Sequence, residues 1–168
     1  MEESESDDSL YLTVVSETAR VPMVLERVAE FARRQGIWDS DGLLLVVREL
    51  LVNAIVHGNE SRADKMALIR VAQRGGRFEV QVDDEGEGFD FESLVLNLPE
   101  NPQSLTKRGL VLVHELSEEL RFERGGSRVR AIVDPDGRLF AGSSGQYVFM
   151  TEKANREATC TSPMAKSP

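Results

Sequence analysis

The stretch that decides the fold runs from residue 49 to residue 59 and reads ELLVNAIVHGN. Glu49, Asn53 and His57 recur at intervals of four, so in a helix that turns about 100° per residue they fall within about 80° of one another. The residues around them, from Leu43 onward, are mostly apolar. Such a helix is expected to be buried, and an unpartnered carboxylate is costly to bury. The polar stripe is therefore either satisfied by other protein groups or lines a cavity that holds something polar.

The composition favours a single domain. Of the 168 residues, 40% are hydrophobic, which suffices for one substantial core. The formal net charge of −9 would repel a phosphate backbone, and no cluster of Lys and Arg with interleaved aromatic residues offsets it. General nucleic-acid binding is therefore disfavoured. Cys160 is the single cysteine, which excludes a disulfide framework and a thiolate metal cluster.

The sequence gives no sign of export or of a membrane. The first ten residues, MEESESDDSL, are acidic where a secretory signal would be basic and then apolar. No run reaches the roughly 18 apolar residues that a membrane span requires. We therefore expect a cytoplasmic protein that acts away from membranes.

Hydrophobic periodicity predicts an alternation of strands and helices after a disordered, acidic segment at 1–9. Strands are predicted at 10–17, 65–73, 77–84, 120–124 and 127–134, and helices at 20–35, from 39 or 40 to 57, and from about 107 onward. This order predicts an α+β fold, a two-layer sandwich of a mixed, mostly antiparallel sheet with helices on one face. The domain is expected to cover 10–136, and an extension at 137–168 is expected to be disordered after about residue 150.

A second acidic side chain is predicted to point inward. In the strand at 77–84 every second residue is apolar, and Asp84 continues that apolar face. Gly86 and Gly88 follow, and they leave the backbone bare for whatever approaches. An ionised carboxylate in this setting is well placed to accept hydrogen bonds from an amine edge.

The remaining chemistry suits the phosphate end of a nucleotide. Arg108 and Gly109 open the last predicted helix, where free N–H groups and the positive end of the dipole favour an anion. Asn53 offers a neutral oxygen to Mg²⁺. Glu49, one helical turn earlier, is left as a general base for a hydroxyl or water that attacks the γ-phosphate. Asp84 could hold the base of the same nucleotide by its exocyclic amine.

Three motifs in this order carry a family resemblance. The pattern E-x-x-x-N-A-x-x-H-G-N, followed about 25 residues later by D-x-G-x-G and then by R-G-L, resembles the ATPase fold shared by gyrase and the histidine kinases, the Bergerat ATP-binding fold. The resemblance covers residues from about 10 to 134. It is closest to the small anti-sigma-factor serine/threonine kinases of bacterial partner-switching systems, because the ending N-A-x-x-H-G-N is typical of that branch.

The resemblance implies ATP and Mg²⁺ as ligands and a role for each residue of the first two motifs. Glu49 corresponds to the catalytic base, Asn53 to the Mg²⁺ ligand and Asp84 to the residue that contacts adenine. His57 could touch the phosphate region or cap the helix end through its dipole. Related kinases are often dimers, so the resemblance also allows for a homodimer.

The same resemblance assigns the glycines and the last motif. Gly86 and Gly88 correspond to glycines that shape the nucleotide pocket, and Arg108 and Gly109 to the segment that contacts phosphates. The family commonly has a second glycine two residues further on, where this chain has Val111. A branched side chain there is expected to crowd the backbone's approach to the phosphates.

The sequence thus predicts an ATP-dependent protein serine/threonine kinase that binds a sigma factor or another regulator and phosphorylates an antagonist STAS-domain protein. The alternative is a nucleotide-binding regulatory module without kinase activity, which acts by association alone. Glu49 favours the kinase, and Val111 favours the module. A histidine-kinase catalytic domain is less favoured, because no paired dimerisation helices precede the ATPase-like region.

Overall fold

The computed structural model describes residues 1–91 and 105–135, with side chains in the second range from residue 109 onward. The strands are β1 (Glu2–Ser6), β2 (Ser9–Val15), β3 (Met66–Arg74), β4 (Arg77–Asp83), β5 (Ser117–Glu123) and β6 (Arg128–Val133). The helices are α1 (Val21–Arg34), α2 (Asp41–Asn53) and α3 (Leu105–Leu116), with a π-helical turn at Ala54–Gly58 and 3-10 turns at Thr18–Arg20 and Arg124–Gly126. Each strand and helix predicted from the periodicity is present within a few residues of its expected bounds.

The six strands form one sheet in the order β1-β2-β3-β4-β6-β5. The helices pack on one face of this sheet, which confirms the predicted two-layer α+β sandwich. All neighbouring strands among the described residues pair antiparallel, where a mixed sheet was expected. The reason is that β1–β2, β3–β4 and β5–β6 enter as hairpins, and each hairpin joins its neighbour in the antiparallel sense.

The acidic N-terminal segment is ordered, so the expected disorder at 1–9 was wrong. β1 pairs with β2 along its whole length. Its side chains also reach α1, where Glu3 pairs with Arg27 and Glu5 lies 2.5 Å from the guanidinium of Arg34. Composition alone favours disorder in such a segment. Backbone pairing with β2 and the ion pairs with Arg27 and Arg34 stabilise this segment as a strand, and neither can be read from composition.

The core lies between the sheet and the helices. Val24, Val28 and Phe31, the residues that predicted α1 by their spacing, are completely buried. Phe31 meets Phe78 of β4 edge to face, with ring centroids 6.3 Å apart and an interplanar angle of 68°. This contact fixes α1 against the middle of the sheet.

The opposite face of the sheet is polar. Arg70 and Glu79 form an ion pair at 3.0 Å across β3 and β4, and Arg128 of β6 approaches Asp83 to 2.5 Å. These paired charges leave the outer face suited to solvent. The inward and outward sets of residues therefore follow the period of two that predicted the strands.

The end of α2 departs from the regular helix that was expected to continue to His57. Regular α-helix ends at Asn53, and the backbone N–H of Asn59 donates to the carbonyl of Ala54 at 2.8 Å, which closes a π-helical turn. Such a turn rotates the chain less per residue than an α-helix does. His57 therefore stays on the same side of the helix as Asn53, and both residues line the cavity described below, although the side chain of His57 is exposed.

Two stretches bear on the predicted domain boundaries but not on the site. The extension at 137–168 lies outside the described residues, so its predicted disorder stays a prediction. The domain limits of 10 and 136 also stay a prediction, although β1 adds residues before the first of them. Among the described residues, no helix is long and apolar enough to cross a membrane.

Candidate nucleotide-binding site

A cavity of about 450 Å³ opens between the end of α2, the end of β4 and the β5–β6 hairpin. This volume lies within the range of small-molecule sites in proteins. Most of its lining is apolar and comes from Leu50, Ala54, Val82, Phe89, Leu110, Phe122 and Val129. Asn53, His57 and Asp84 add polar groups at separate points. Apolar walls with a few polar groups suit a flat aromatic ring that has hydrogen-bonding edges.

Asp84 follows directly after β4 and is half-buried in the cavity wall. Its backbone N–H donates to the carbonyl of Ser127 at 2.9 Å, and its Oδ1 accepts the backbone N–H of Gly86 at 2.8 Å. Burial raises the pKa of the Asp84 carboxyl, against the opposing effects of the Gly86 hydrogen bond and the charge of Lys65. The carboxylate thus has a fixed orientation and is half removed from water, as a group that accepts hydrogen bonds from a ligand should be.

The glycines around Asp84 are required by close contacts. A Cβ on Gly58 would lie 2.3 Å from the carboxyl carbon of Asp84, and a Cβ on Gly86 would lie 2.2 Å from the carbonyl oxygen of Gly58. Gly88 lines the cavity and has a φ of +79°, which side chains rarely adopt. Gly86 and Gly88 therefore lie beside the pocket that they were predicted to shape.

Asn59 is a buried residue to which the sequence analysis gave no role of its own. Its Oδ1 accepts the backbone N–H of Glu85 at 2.8 Å, and its Nδ2 donates to the carbonyl of Met66 at 2.8 Å and to Oγ of Ser16 at 2.7 Å. These bonds tie the end of α2 to the loop that carries Asp84. The signal was a polar residue after a helix-ending glycine, since a buried amide of this kind needs partners from several segments.

Asn53 lines the cavity one helical turn after Glu49. Its Nδ2 is buried and has no hydrogen-bond partner among the described residues. An unsatisfied buried polar group costs about 1–3 kcal/mol, which a bound group would relieve. Rotating the side-chain amide of Asn53 by 180° would place Oδ1 where Nδ2 now lies. The side chain can therefore offer the neutral oxygen ligand that was expected for Mg²⁺.

A metal ion beside Asn53 would take most of its ligands from elsewhere. In 1–91 and 105–135, no three His, Cys, Asp or Glu side chains are grouped so that they could hold a metal ion. Mg²⁺ commonly binds through one or two protein oxygens, with waters and phosphate oxygens completing its shell. The donor set therefore fits a metal that arrives with a nucleotide.

Glu49 is not among the residues that line the cavity. Its side chain is 16% exposed, and its Oε1 pairs with Nη1 of the neighbouring Arg48. Its Oε2 faces α3, where a Cβ on Gly109 would lie 2.5 Å away. Of the predicted stripe, Asn53 and the exposed His57 thus line the cavity, and Glu49 lies outside its lining.

The last predicted motif lies on α3. Gly109 is buried against Glu49, Leu110 lines the cavity, and Val111 is 1% exposed within the core. The expectation that Val111 crowds a phosphate site was wrong, because its side chain packs in the core instead. The side chain of Arg108 lies outside the described part of the chain, so its phosphate contact stays a prediction.

Three aromatic rings that the sequence analysis missed form one wall of the cavity region. Phe122 of β5 meets Phe89 edge to face at 5.6 Å and stacks with Phe91 at 5.4 Å between ring centroids. The backbone N–H of Phe89 donates to the carbonyl of Gly125 at 2.9 Å. The only signal was the pair of phenylalanines after Gly88, in a loop without any periodicity.

The fold and the cavity define an α+β domain with a cavity of ligand size between a helix end and a hairpin. Residues 14–133 match the family described as histidine kinase-like ATPase domain, and the chain belongs to that family. Among solved structures, it is similar to the histidine kinase domain from the Erythrobacter litoralis EL346 blue-light activated histidine kinase, with 21% identity and a TM-score of 0.46 over 73% of this chain and 62% of that one. No curated protein matches the chain. The ATPase-fold resemblance is confirmed, and the narrower assignment to anti-sigma-factor kinases stays a prediction.

Proposed function

We propose that this protein is an ATP-dependent protein serine/threonine kinase of the partner-switching kind. It binds a sigma factor or another transcription regulator and phosphorylates an antagonist STAS-domain protein. Membership of the histidine kinase-like ATPase family supports ATP binding by a kinase-like regulatory domain. The observation that carries the finer proposal is the placement of Asn53 in the cavity with the acidic Glu49 one helical turn away on α2.

The residues divide the work between the two ends of ATP. Asp84 accepts a hydrogen bond from the exocyclic amine of adenine, and the apolar walls hold the ring. Asn53 would hold Mg²⁺, and the bound ion would neutralise charge on the phosphates. Glu49 takes the proton of a serine or threonine hydroxyl while that oxygen bonds to the γ-phosphorus. The bond from the γ-phosphorus to the β–γ bridging oxygen breaks, and ADP leaves.

A second function is favoured by a specific observation. The carboxylate of Glu49 is paired with Arg48 and lies outside the lining of the cavity. A nucleotide could therefore be held by Asp84 and Asn53 while the base stays unaligned. In that case the protein is a nucleotide-dependent regulatory module that acts by association with its partner alone.

Two measurements separate these functions. Calorimetry with Mg·ATP, Mg·ADP and ATP without metal tests the site, and we expect the strongest binding when Mg²⁺ is present. Transfer of label from radiolabelled ATP to a STAS-domain protein from the same genome tests the kinase. Binding of Mg·ATP without transfer to any cognate STAS-domain protein would leave only the regulatory module, and no nucleotide binding would overturn both. Light scattering on the isolated protein tests the homodimer that the resemblance implies.

A further inference from the structure

Gly109 is a glycine inside a helix, and neither its position nor its backbone explains it. α3 runs from Leu105 to Leu116, so Gly109 is not a terminal residue. It is not among the glycines with positive φ. Glycine in a helix interior is destabilising relative to alanine, because it loses more backbone freedom and has no side chain to pack. Another constraint must favour glycine here.

That constraint is the space taken by Glu49. A Cβ on Gly109 would lie 2.5 Å from Oε2 of Glu49, 3.4 Å from its Cδ and 3.7 Å from its Cβ, and these are the three nearest atoms. All of them belong to one side chain, and the closest is at its flexible end. An alanine at this position would therefore push the carboxylate aside and leave the backbone of both helices in place.

Gly86 shows that a close contact at a glycine does not always involve a side chain. A Cβ on Gly86 would lie 2.2 Å from a backbone oxygen, that of Gly58. Substitution there has to move the chain itself, and it would disturb the loop as well as the site. Substitution at Gly109 has to move only the end of one acidic side chain.

The other oxygen of the carboxylate has its own partner. Oε1 of Glu49 pairs with the guanidinium of Arg48, whose side chain is 54% exposed. The carboxylate is thus held between a guanidinium on one side and the bare Cα of Gly109 on the other. A charge-assisted hydrogen bond of this kind gives direction as well as attraction.

We infer that Gly109 and Arg48 are positioning residues for Glu49. Gly109 leaves the room in which the carboxylate rests, and Arg48 sets its direction. The inference rests on the proposed function, in which Glu49 is the base, and it gives Gly109 a task other than contact with phosphates. Changes at Gly109 should therefore act on the rate of phosphoryl transfer and leave the affinity for nucleotide in place.

The first test compares Gly109→Ala with the control Gly42→Ala. Gly42 lies in the first turn of α2, and a Cβ added to it would have no atom within 4 Å. Misplacing a reacting group by about 1 Å can cost about 100-fold in rate, so we expect Gly109→Ala to lower kcat by about 10- to 100-fold. Its Kd for Mg·ATP should stay within about threefold of wild type, and Gly42→Ala should change neither quantity. In a Glu49→Gln background, Gly109→Ala should cause no further loss.

Arg48 is tested by the same split between rate and affinity. Arg48→Ala should lower kcat with little change in the Kd for Mg·ATP, and Arg48→Lys should restore part of the loss because it keeps a cation next to the carboxylate. A tenfold loss of Mg·ATP affinity in Gly109→Ala with kcat unchanged would overturn the inference, because it would mean that the glycine contacts phosphates. So would an unchanged kcat in both Gly109→Ala and Arg48→Ala.

A third measurement does not depend on transfer at all. In a Glu49→Ala background the space beside Gly109 is free, so Gly109→Ala should raise Tm by about 2–4 °C through helix propensity. With Glu49 present the rise should be smaller, because the carboxylate has to move. Equal shifts in the two backgrounds would overturn the inference even if the wild type transfers no phosphate. If the two Tm shifts differ but the protein transfers no phosphate, the kinase function is wrong, and the packing of Glu49 against Gly109 is still supported.

Discussion

Two carboxylates in this protein rest against glycines, and they are held in opposite ways. Asp84 lies where a Cβ of Gly58 would be, and its Oδ1 accepts a backbone N–H at 2.8 Å. Glu49 lies where a Cβ of Gly109 would be, and its other oxygen pairs with a half-exposed arginine. The backbone therefore fixes Asp84, whereas side chains that can move hold Glu49.

In the proposed function, this difference separates recognition of the nucleotide by Asp84 from the reaction at Glu49. A group that selects a ligand gains from being fixed beforehand, because no ordering then has to accompany binding. The buried Asn59 adds to this by bonding the residue after Asp84 at 2.8 Å. A base has to meet a hydroxyl that arrives on a partner protein, and catalytic hydrogen bonds often tighten only in the complex. In the proposed kinase, the end of the site that binds adenine is thus rigid, and the end that reacts is adjustable.

The largest effect is expected at the adjustable end. Glu49→Gln keeps the volume of the side chain and removes the proton acceptor, so phosphoryl transfer should fall by about 10² to 10⁴ with little change in ATP affinity. Radiolabelled transfer to the cognate STAS-domain protein measures the rate, and calorimetry measures the affinity. Glu26→Gln, on the exposed side of α1, is the matched control and should change neither. Full transfer by Glu49→Gln would mean that Glu49 is not the base.

The next effect concerns the two faces of α3. Val111→Gly empties a completely packed position and adds a helix glycine, so it should lower the free energy of unfolding by about 3 kcal/mol. Urea denaturation measures it, with Leu112→Gly as control because Leu112 is 42% exposed. That control should lose only about 1 kcal/mol, the propensity part. A gain in transfer by Val111→Gly without loss of stability would restore the view that Val111 restricts the phosphate end.

A smaller effect tests the rigid end. Asp84→Asn replaces a charged acceptor by an amide whose donor end can face the adenine amine, which should weaken Mg·ATP binding by about 1.5–3 kcal/mol, or about 10- to 150-fold. Guanine nucleotides should bind poorly to both proteins. Asp83→Asn is the control, because Asp83 lies on the outer face and pairs with Arg128 at 2.5 Å. It should lose stability and keep its affinity, and unchanged affinity in Asp84→Asn would remove Asp84 from the adenine site.

Local periodicity was enough to predict most of the fold and the inward position of Asp84. Leu12 and Asp84 each lie on the face that alternation assigns to them, because a strand has a period of two wherever it occurs. The order of hairpins and helices then gave the two-layer sandwich. These predictions depend only on residues that are close in sequence.

What the sequence could not show depends on residues that are far apart. Glu3 meets Arg27 and Gly109 meets Glu49 only once the chain has folded, so neither the order of β1 nor the surroundings of Glu49 follow from a local pattern. The π-helical turn after Asn53 is likewise accompanied by distant bonds, since the side chain of Asn59 bonds Met66 and Ser16. Tertiary contacts thus decided the adjustable end of the site.

The smallest expected effect asks whether the rigid end costs stability when it is empty. Burial raises the pKa of Asp84, so the folded state holds the proton more tightly than the unfolded state does. Between the ordinary Asp pKa of about 3.9 and the raised folded value the native state binds more protons, so stability falls as pH rises through that window and stays lower above it.

Asn cannot ionise and keeps an oxygen for the N–H of Gly86. Without nucleotide, Asp84→Asn should therefore melt a few degrees above wild type at pH 7, and the difference should vanish below about pH 3.9, where both side chains are neutral. Thermal denaturation at the two pH values measures this difference. Asp64→Asn is the control, because Asp64 is exposed and Arg62 lowers the pKa of its carboxyl. This control should show no gain in Tm at pH 7. A wild type that melts higher than Asp84→Asn at pH 7 would show that the Gly86 N–H and Lys65 already satisfy the charge, and that the rigid end is stable without its ligand.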